Sequence, residues 1–381
     1  MKITIFGLTI SSSWGNGHAT PYRAIVRALH RRGHRVTFYE KDVPYYARRR
    51  DFNTCDYCDL VLYSNWDDVR PQALLDARAS DVVMAASYCP DGGRIIDDIL
   101  PLHGPLHVFY DLDAPITLHH LEQGDLDYLC RDQIPGFDLY LSFTGGRILQ
   151  QLEHRWCARL ARPLYGCVDP DVHAHVPASD GLRCRLSYMG TYAADRQHKV
   201  EVLFLEPVRR RPEARFVLAG SLYPREWSWP KNLHIREHVA PADHPALYSS
   251  SRLTLNITRD GMARYGYCPS GRFFEAAACG TPVVTDAWEG LETFFVPGEE
   301  LFVAHTAEDI LDALVASDEE LCRLAWRARE RTLGEHTGND RAAQMLAYFE
   351  EARSAVPAFR EAVPELKFQE RTVASILEPE A

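Results

Sequence analysis

The sequence predicts an α/β protein made of two doubly wound halves that face each other. Three observations carry this expectation. Short apolar runs alternate with helical segments along nearly the whole chain, with glycines at the turns between them. The alternation restarts after 168–181 (VDPDVHAHVPASDG), whose Pro, Asp and Gly content is that of a linker. A length of 381 residues also exceeds one ordinary core. The expected division is an N-terminal domain over 1–170, a C-terminal domain over 171–355, and a tail over 356–381 on the N-terminal domain or the surface.

In the first half, 3–8 is a short apolar strand, followed by the loop Gly15-Asn16-Gly17-His18. Thr20 then reads as a helix cap with Pro21 at the first helical position. Ala24, Ile25, Ala28 and Leu29 form the buried stripe, Gly33 ends the helix, and 36–39 is the second strand. This is the opening unit of a Rossmann-like domain. It lacks the full G-x-G-x-x-G spacing, so it makes no case for NAD. Further strands are expected at 60–63, 82–86, 106–110 and 139–142, and helices at 92–100, 115–129 and 147–160.

Ligands of such sheets bind at the carboxyl ends of the strands. His18, Asp111 with Asp113, and Thr144-Gly145-Gly146 all fall there. Asp113 reads equally as a general base or as a helix cap. His18 reads as a base near neutral pH or as a partner for turn backbone. Glu40, at the end of the second strand, is a weaker candidate. Arg48-Arg49-Arg50 reads as a solvated face.

In the second half, the strand at 186–189 leads into Gly190-Thr191-Tyr192 and Arg196, and the helix at 198–210 follows. The strand at 215–219 leads into Gly220-Ser221. A glycine directly after a strand lets a phosphate approach the backbone closely. Arg196 supplies a counter-charge, and Thr191 or Ser221 can bond a phosphate or ribose oxygen. Trp227 and Trp229 read as packing under a long loop. The strand at 253–257 leads through Thr258-Arg259 to 265–286, YGYCPSGRFFEAAACGTPVVTD. There Pro269 and Ser270 start an apolar helix, Gly280 ends it, and Val283-Val284 opens a strand. Only Arg272 and Glu275 interrupt that helix with charge. Its free N–H groups suit a diphosphate, Arg272 adds a forked donor, and Glu275 can accept both ribose hydroxyls. The alternative is an internal Arg272–Glu275 ion pair. Arg259 is a second phosphate candidate, or a surface partner of Asp260. A late strand at 301–304 and amphipathic helices at 307–332 and 341–355 follow, and the sequence beyond 365 has little apolar content.

A net charge of −11 and a pI near 5.8 argue against general affinity for nucleic acid or anionic membrane. The opening MKITIFGLTI reads as a first strand and not a signal peptide. The ten cysteines are scattered, with Cys55 and Cys58 the single C-x-x-C, and read as cytosolic thiols. A cytoplasmic protein with no metal and no resident cofactor is expected.

The segments SSWGNGHATPYR, RRGHRVTFYEKDVPYYARRRD, FYDLDAP, LSFTGG, YMGTYAADRQ, TLNITRDGM and PSGRFFEAAACGTPVVTD resemble GT-B glycosyltransferases, and within them the group of the spore-maturation CgeB-like proteins. The resemblance runs over most of the chain. It implies the GT-B architecture, with a last helix crossing back onto the N-terminal domain. It also implies a donor site in the C-terminal half, an acceptor site in the N-terminal half, and a nucleotide sugar, foremost a UDP-sugar, as co-substrate. Gly15, Gly17, Gly190, Thr191, Tyr192, Arg196, Gly220, Ser221, Arg259, Ser270, Arg272 and Glu275 become the candidate donor-site residues, and Asp113 or His18 the candidate base. Such enzymes usually need no catalytic metal, so Asp111-Leu112-Asp113 is discounted as a D-x-D metal motif. Many retaining members carry a second Glu eight positions before the ribose Glu, where this chain has Tyr267; this leaves the stereochemical course open. A nucleotide-sugar epimerase, or a binding protein without turnover, shares the same outline.

Overall fold

The computed structural model describes residues 1–124, 126–224 and 226–362. In chain order the first half holds β1 (Lys2–Gly7), α1 (Ala19–Arg31), β2 (Arg35–Lys41), α2 (Pro44–Ala47), β3 (Asp59–Tyr63), α3 (Trp66–Arg78), β4 (Val82–Ala86), α4 (Gly92–Ile99), β5 (Leu106–Asp111), α5 (Ala114–Gln123), β6 (Leu139–Ser142), α6 (Arg147–His154) and β7 (Ala161–Pro163). The second holds β8 (Cys184–Met189), α7 (Ala194–Val200), α8 (Glu206–Arg210), β9 (Phe216–Ala219), β10 (Leu233–Arg236), α9 (His244–Ser249), β11 (Ser251–Asn256), α10 (Asp260–Tyr265), α11 (Gly271–Ala278), β12 (Val283–Thr285), β13 (Phe302–Val303), α12 (Ala307–Val315), α13 (Asp318–Glu335) and α14 (Gly338–Ala362).

Both sheets are parallel. The first runs β3-β2-β1-β4-β5-β6-β7 and the second β10-β9-β8-β11-β12-β13. Alternate residues of β4 show why: Val82 and Met84 enter one apolar layer, Val83 and Ala85 the opposite one. A strand buried on both faces suits a parallel sheet covered by helices on each side. No helix among the described residues is long and apolar enough to cross a membrane.

Local chemistry corrects several expected boundaries. Helix α1 begins at Ala19, because Asn16 Oδ1 accepts the amides of His18 and Ala19 at 3.1 and 3.2 Å. Asn16, not Thr20, therefore satisfies the free helix start, and Pro21 lies third in the helix. Helix α5 stops early at Gly124, which adopts φ +78°. Helix α6 ends at His154, leaving Ala161–Pro163 to add an unforeseen edge strand. Elements α3, β10 and α10 were also unforeseen. The predicted helix at 307–332 is two helices, divided where Ser317 Oγ accepts the Glu320 amide at 3.1 Å. Between α7 and α8 the chain makes a π turn over Glu201–Leu205, just before Pro207. Proline lacks the N–H that would continue the α-helical ladder. The tail beyond 362 lies outside the described residues.

Helix α14 crosses back to the first half. Ala342, Met345, Phe349 and Ala352 share a core with Ile25 and Leu29 of α1. Its start is pinned by Arg341, which donates to the carbonyls of Tyr165 and Gly166 at 3.1 and 3.3 Å and to His336 Nδ1 at 2.8 Å. Burial, with Arg341 and Arg331 beside it, pushes His336 down from 6.5 to about 3. The unfolded chain therefore binds this proton more readily than the folded one. The stability contribution is full above pH 6.5 and falls by about 1.4 kcal/mol per pH unit as pH drops from 6.5 toward 3. We expect urea unfolding to show this acid slope, and His336→Asn, which keeps an acceptor for Arg341, to flatten it. Equal slopes in both proteins would reject the assignment.

Candidate active site

A cavity of ≈ 410 Å³ lies between the carboxyl ends of the two sheets. It is lined by the loops after β1, β5, β8, β9 and β11, and by the start of α11. The halves touch beside it: Gly145 N–H donates to the Tyr267 carbonyl at 2.9 Å, and the Trp14 and His238 rings lie 4.7 Å apart. The candidate donor-site and base residues all line this cavity: Gly15, Gly17, His18, Asp113, Gly190, Thr191, Tyr192, Arg196, Gly220, Ser221, Arg259, Ser270, Arg272 and Glu275; the weaker candidate Glu40 does not.

On the first half, Glu40 is fully buried and holds the loop after β1. Its carboxylate accepts Thr9 Oγ1 at 2.9 Å and the amides of Ile10 and Ser11 at 2.8 and 3.0 Å. Its expected place as a weak catalytic candidate gives way to this structural one. The Arg48-Arg49-Arg50 run is also not uniformly solvated. Arg49 lies over the Trp14 ring at 3.5 Å, and Arg50 bonds Ser11 and Asp42.

Asp111 is fully buried and accepts Tyr140 Oη at 2.6 Å, Thr117 Oγ1 at 2.9 Å and the Asp113 amide at 3.0 Å. Burial, partly offset by these bonds, pushes its carboxyl up to about 6. Asp111 therefore shapes the turn, and Asp113 presents its side chain to the cavity. Asp113 Oδ2 lies 3.7 Å from His18 Nε2, with side-chain exposures of 21% and 10%. His18 Nδ1 is buried with no partner among the described residues. Asp113 is thus the more accessible of the two. It stands just before α5 as its N-cap, yet its side chain makes no capping bond among the described residues.

On the second half, Arg196 is 5% exposed and donates to the Thr191 carbonyl. Arg272 bonds Ser270 Oγ through Nε at 3.1 Å. Ser270 stands at the N-cap of α11 as expected, but its hydroxyl makes no capping bond among the described residues and accepts from Arg272. Both guanidiniums meet at Gly190, where a Cβ would lie 3.1 Å from Arg196 and 3.1 Å from Arg272. Neither is in an ion pair with a carboxylate among the described residues. Burial lowers the Arg196 pKa, and Arg272 lowers it further by like-charge repulsion. Arg259 differs, since its Nε bonds both oxygens of Asp195 at 3.1 Å, and not Asp260. Gly220 needs its missing side chain because a Cβ there would strike the Gly190 carbonyl. Its glycine is thus explained by loop packing, whatever approaches it from the cavity. Gly15 has φ +65°, and a Cβ on it would meet Tyr45 Oη, whereas Gly17 faces open space. The Tyr192 amide donates to the Ser221 carbonyl at 2.9 Å, tying these two loops together. Trp227 and Trp229 pack with Tyr223 and do not line the cavity.

Glu275 is 4% exposed and is not paired with Arg272. Its Oε2 lies 2.9 Å from His244 Nδ1 and accepts Tyr248 Oη at 3.5 Å. Burial raises its pKa, but His244, His173 and Arg272 more than offset this and hold it at about 2. The other oxygen makes no such bond. Tyr267 does not line the cavity. It adopts φ +47°, and its ring fills the space beside Gly146 and Gly290, so it braces the contact between the halves. Sequence reading missed His173 and His244. They stand 102 and 31 positions from Glu275, with no motif around either.

The fold has known counterparts. Residues 196–347 match the family model described as glycosyl transferase-like. No curated protein matches the sequence. Among solved structures, sucrose-phosphate synthase from Thermosynechococcus elongatus superposes with a TM-score of 0.65 at 14% identity, over 93% of this chain and 99% of that one. An alpha-glucosyltransferase in complex with UDP-glucose and DNA containing an abasic site gives 0.71 at 12%, over 92% and 99%. Anabaena HepE in complex with UDP and glucose gives 0.63 at 12%, over 92% and 100%. The chain has the GT-B fold.

Proposed function

We propose that the protein is a glycosyltransferase that moves a sugar from a nucleoside-diphosphate sugar, foremost a UDP-sugar, to an acceptor hydroxyl without a catalytic metal. The observation that carries this reading is the meeting of Arg196 and Arg272 at Gly190 on the wall of the cavity, two guanidiniums with no ion-pair partner among the described residues. Buried positive charge without a partner is costly, and a bound diphosphate supplies the partner. The same pair faces the charge that grows on the departing diphosphate, which is the work a metal ion does elsewhere. Glu275 completes the donor site by offering its second oxygen to the ribose, while His244 holds the first. The solved neighbours bound to UDP or UDP-glucose support this choice of donor. The CgeB-like segments and the cytoplasmic setting expected from the sequence fit it as well.

Asp113 takes the proton from the acceptor hydroxyl, and His18 positions it. A base there serves inversion at the anomeric carbon; retained configuration in the product would remove Asp113 from that role.

The test is calorimetric titration with UDP, GDP, dTDP and ADP, then donor turnover in EDTA with and without an acceptor panel. Binding of UDP with transfer only when an acceptor is present is expected. Turnover of the nucleotide sugar alone would point to an epimerase, and binding with no turnover to a binding protein. Glu275→Gln should weaken UDP affinity about 10- to 100-fold, since a charged hydrogen bond contributes roughly 1.5–3 kcal/mol. Unchanged affinity in that variant would move the ribose elsewhere.

A further inference from the structure

No metal was expected from the sequence, but the fold brings three metal-type ligands together in the second half. His173, His244 and Glu275 each offer one ligand atom, all three are buried, and these atoms lie within 4.8 Å of one another. His173 comes from the segment joining the sheets, His244 opens α9, and Glu275 lies in α11.

The hydrogen bonds around this cluster are incomplete in a specific way. His244 Nε2 faces the Val239 carbonyl at 3.2 Å, so that nitrogen carries a hydrogen. Its Nδ1 then faces the Glu275 carboxylate at 2.9 Å, and a cation must lie between two lone pairs at that distance. A proton would serve there. It would do nothing for His173, which is 2% exposed and has both ring nitrogens buried without a partner among the described residues. A buried polar atom left unpaired is costly. One metal ion uses the lone pairs of all three side chains. An imidazole whose other nitrogen donates to a backbone carbonyl is also the usual arrangement for a metal-binding histidine.

We propose that His173, His244 and Glu275 bind one divalent transition-metal ion of the zinc class, with a fourth position open toward the cleft. Two neutral imidazoles and one carboxylate are a donor set zinc accepts, and three protein ligands leave a place for water. His244 and Glu275 line the cavity, so the fourth position faces it. The ion would fasten the connecting segment to α9 and α11. It goes beyond the donor reading and does not rest on it: the two share Glu275, but the ion would take the oxygen that faces His244, while the donor reading uses the other oxygen for the ribose and Arg196 and Arg272 for the diphosphate.

Cobalt(II) tests the site, because its spectrum separates nitrogen and oxygen ligands from the ten free thiols. After EDTA treatment and its removal, the full chain should take up one equivalent of cobalt with the intense d–d bands of a four-coordinate ion and no thiolate charge-transfer band. Zinc should displace it and raise the melting temperature. His173→Leu should lose about tenfold or more in affinity, and the isosteric Glu275→Gln should lose the bands even if His173→Leu does not fold. Cys58→Ser should keep them. No uptake, a thiolate band, or the wild-type spectrum surviving in either ligand variant would overturn the site. UDP titration in EDTA is read separately and bears only on the donor assignment.

Discussion

Asp113→Asn should lower transfer turnover by a factor of about 10²–10⁴, the range a positioned general base contributes. That is about 2.7–5.5 kcal/mol of barrier. UDP affinity should change little, because the diphosphate ligands are on the other wall of the cavity. The substitution is nearly isosteric, and the turn around it is held by Asp111, whose three bonds come from Tyr140, Thr117 and the Asp113 backbone. None of these uses the Asp113 side chain, so folding should survive. His18→Asn should have a smaller effect, since His18 Nε2 lies 3.7 Å from Asp113 and its side chain is the less exposed of the two. The measurement is steady-state transfer and UDP calorimetry on both variants. If His18→Asn proves the more damaging, the base is His18 and Asp113 orients it. If neither changes turnover, the proton leaves by another route.

The fold was legible because the strand signal of a parallel sheet is strong. β4 and β6 coincide with the apolar runs at 82–86 and 139–142, since every residue of each is buried. Weaker signals failed for physical reasons. β7 has only three residues and β10 exposes three of four, so neither shows a pattern. α3 carries Pro71 inside it, which reads as a break. The site was legible where residues followed strands, because a parallel sheet gathers its strand ends at one edge. The partner of Glu275 was not. Arg272, three positions away, was the alternative ion-pair partner, yet the carboxylate is turned to His244, 31 positions upstream. Long-range pairs of this kind leave no mark at local spacing. Glu40 shows the converse: a carboxylate at a strand end looks catalytic until the amides of Ile10 and Ser11 are seen to consume it.

Arg196→Met should move stability and donor affinity in opposite directions. In the free protein, Arg196 is 5% exposed, lies near a second guanidinium, and has one backbone carbonyl as its described bond partner. A buried cation in that position is a standing cost, which an apolar side chain of similar length removes. We expect Arg196→Met to raise stability by about 1 kcal/mol or more, after the loss of the bond to Thr191. In the complex the same guanidinium meets the diphosphate, and charged hydrogen bonds contribute roughly 1.5–3 kcal/mol, so UDP affinity should fall about 10- to 100-fold. Arg272→Met should act in the same sense. With both replaced, the affinity losses should not simply add, because each arginine relieves repulsion on the other when it leaves. Uridine, which lacks the diphosphate, should bind all four proteins alike. The decisive data are urea unfolding of the free proteins beside UDP and uridine titrations. If Arg196→Met lowers stability and leaves UDP affinity intact, the two arginines are structural and the diphosphate lies elsewhere.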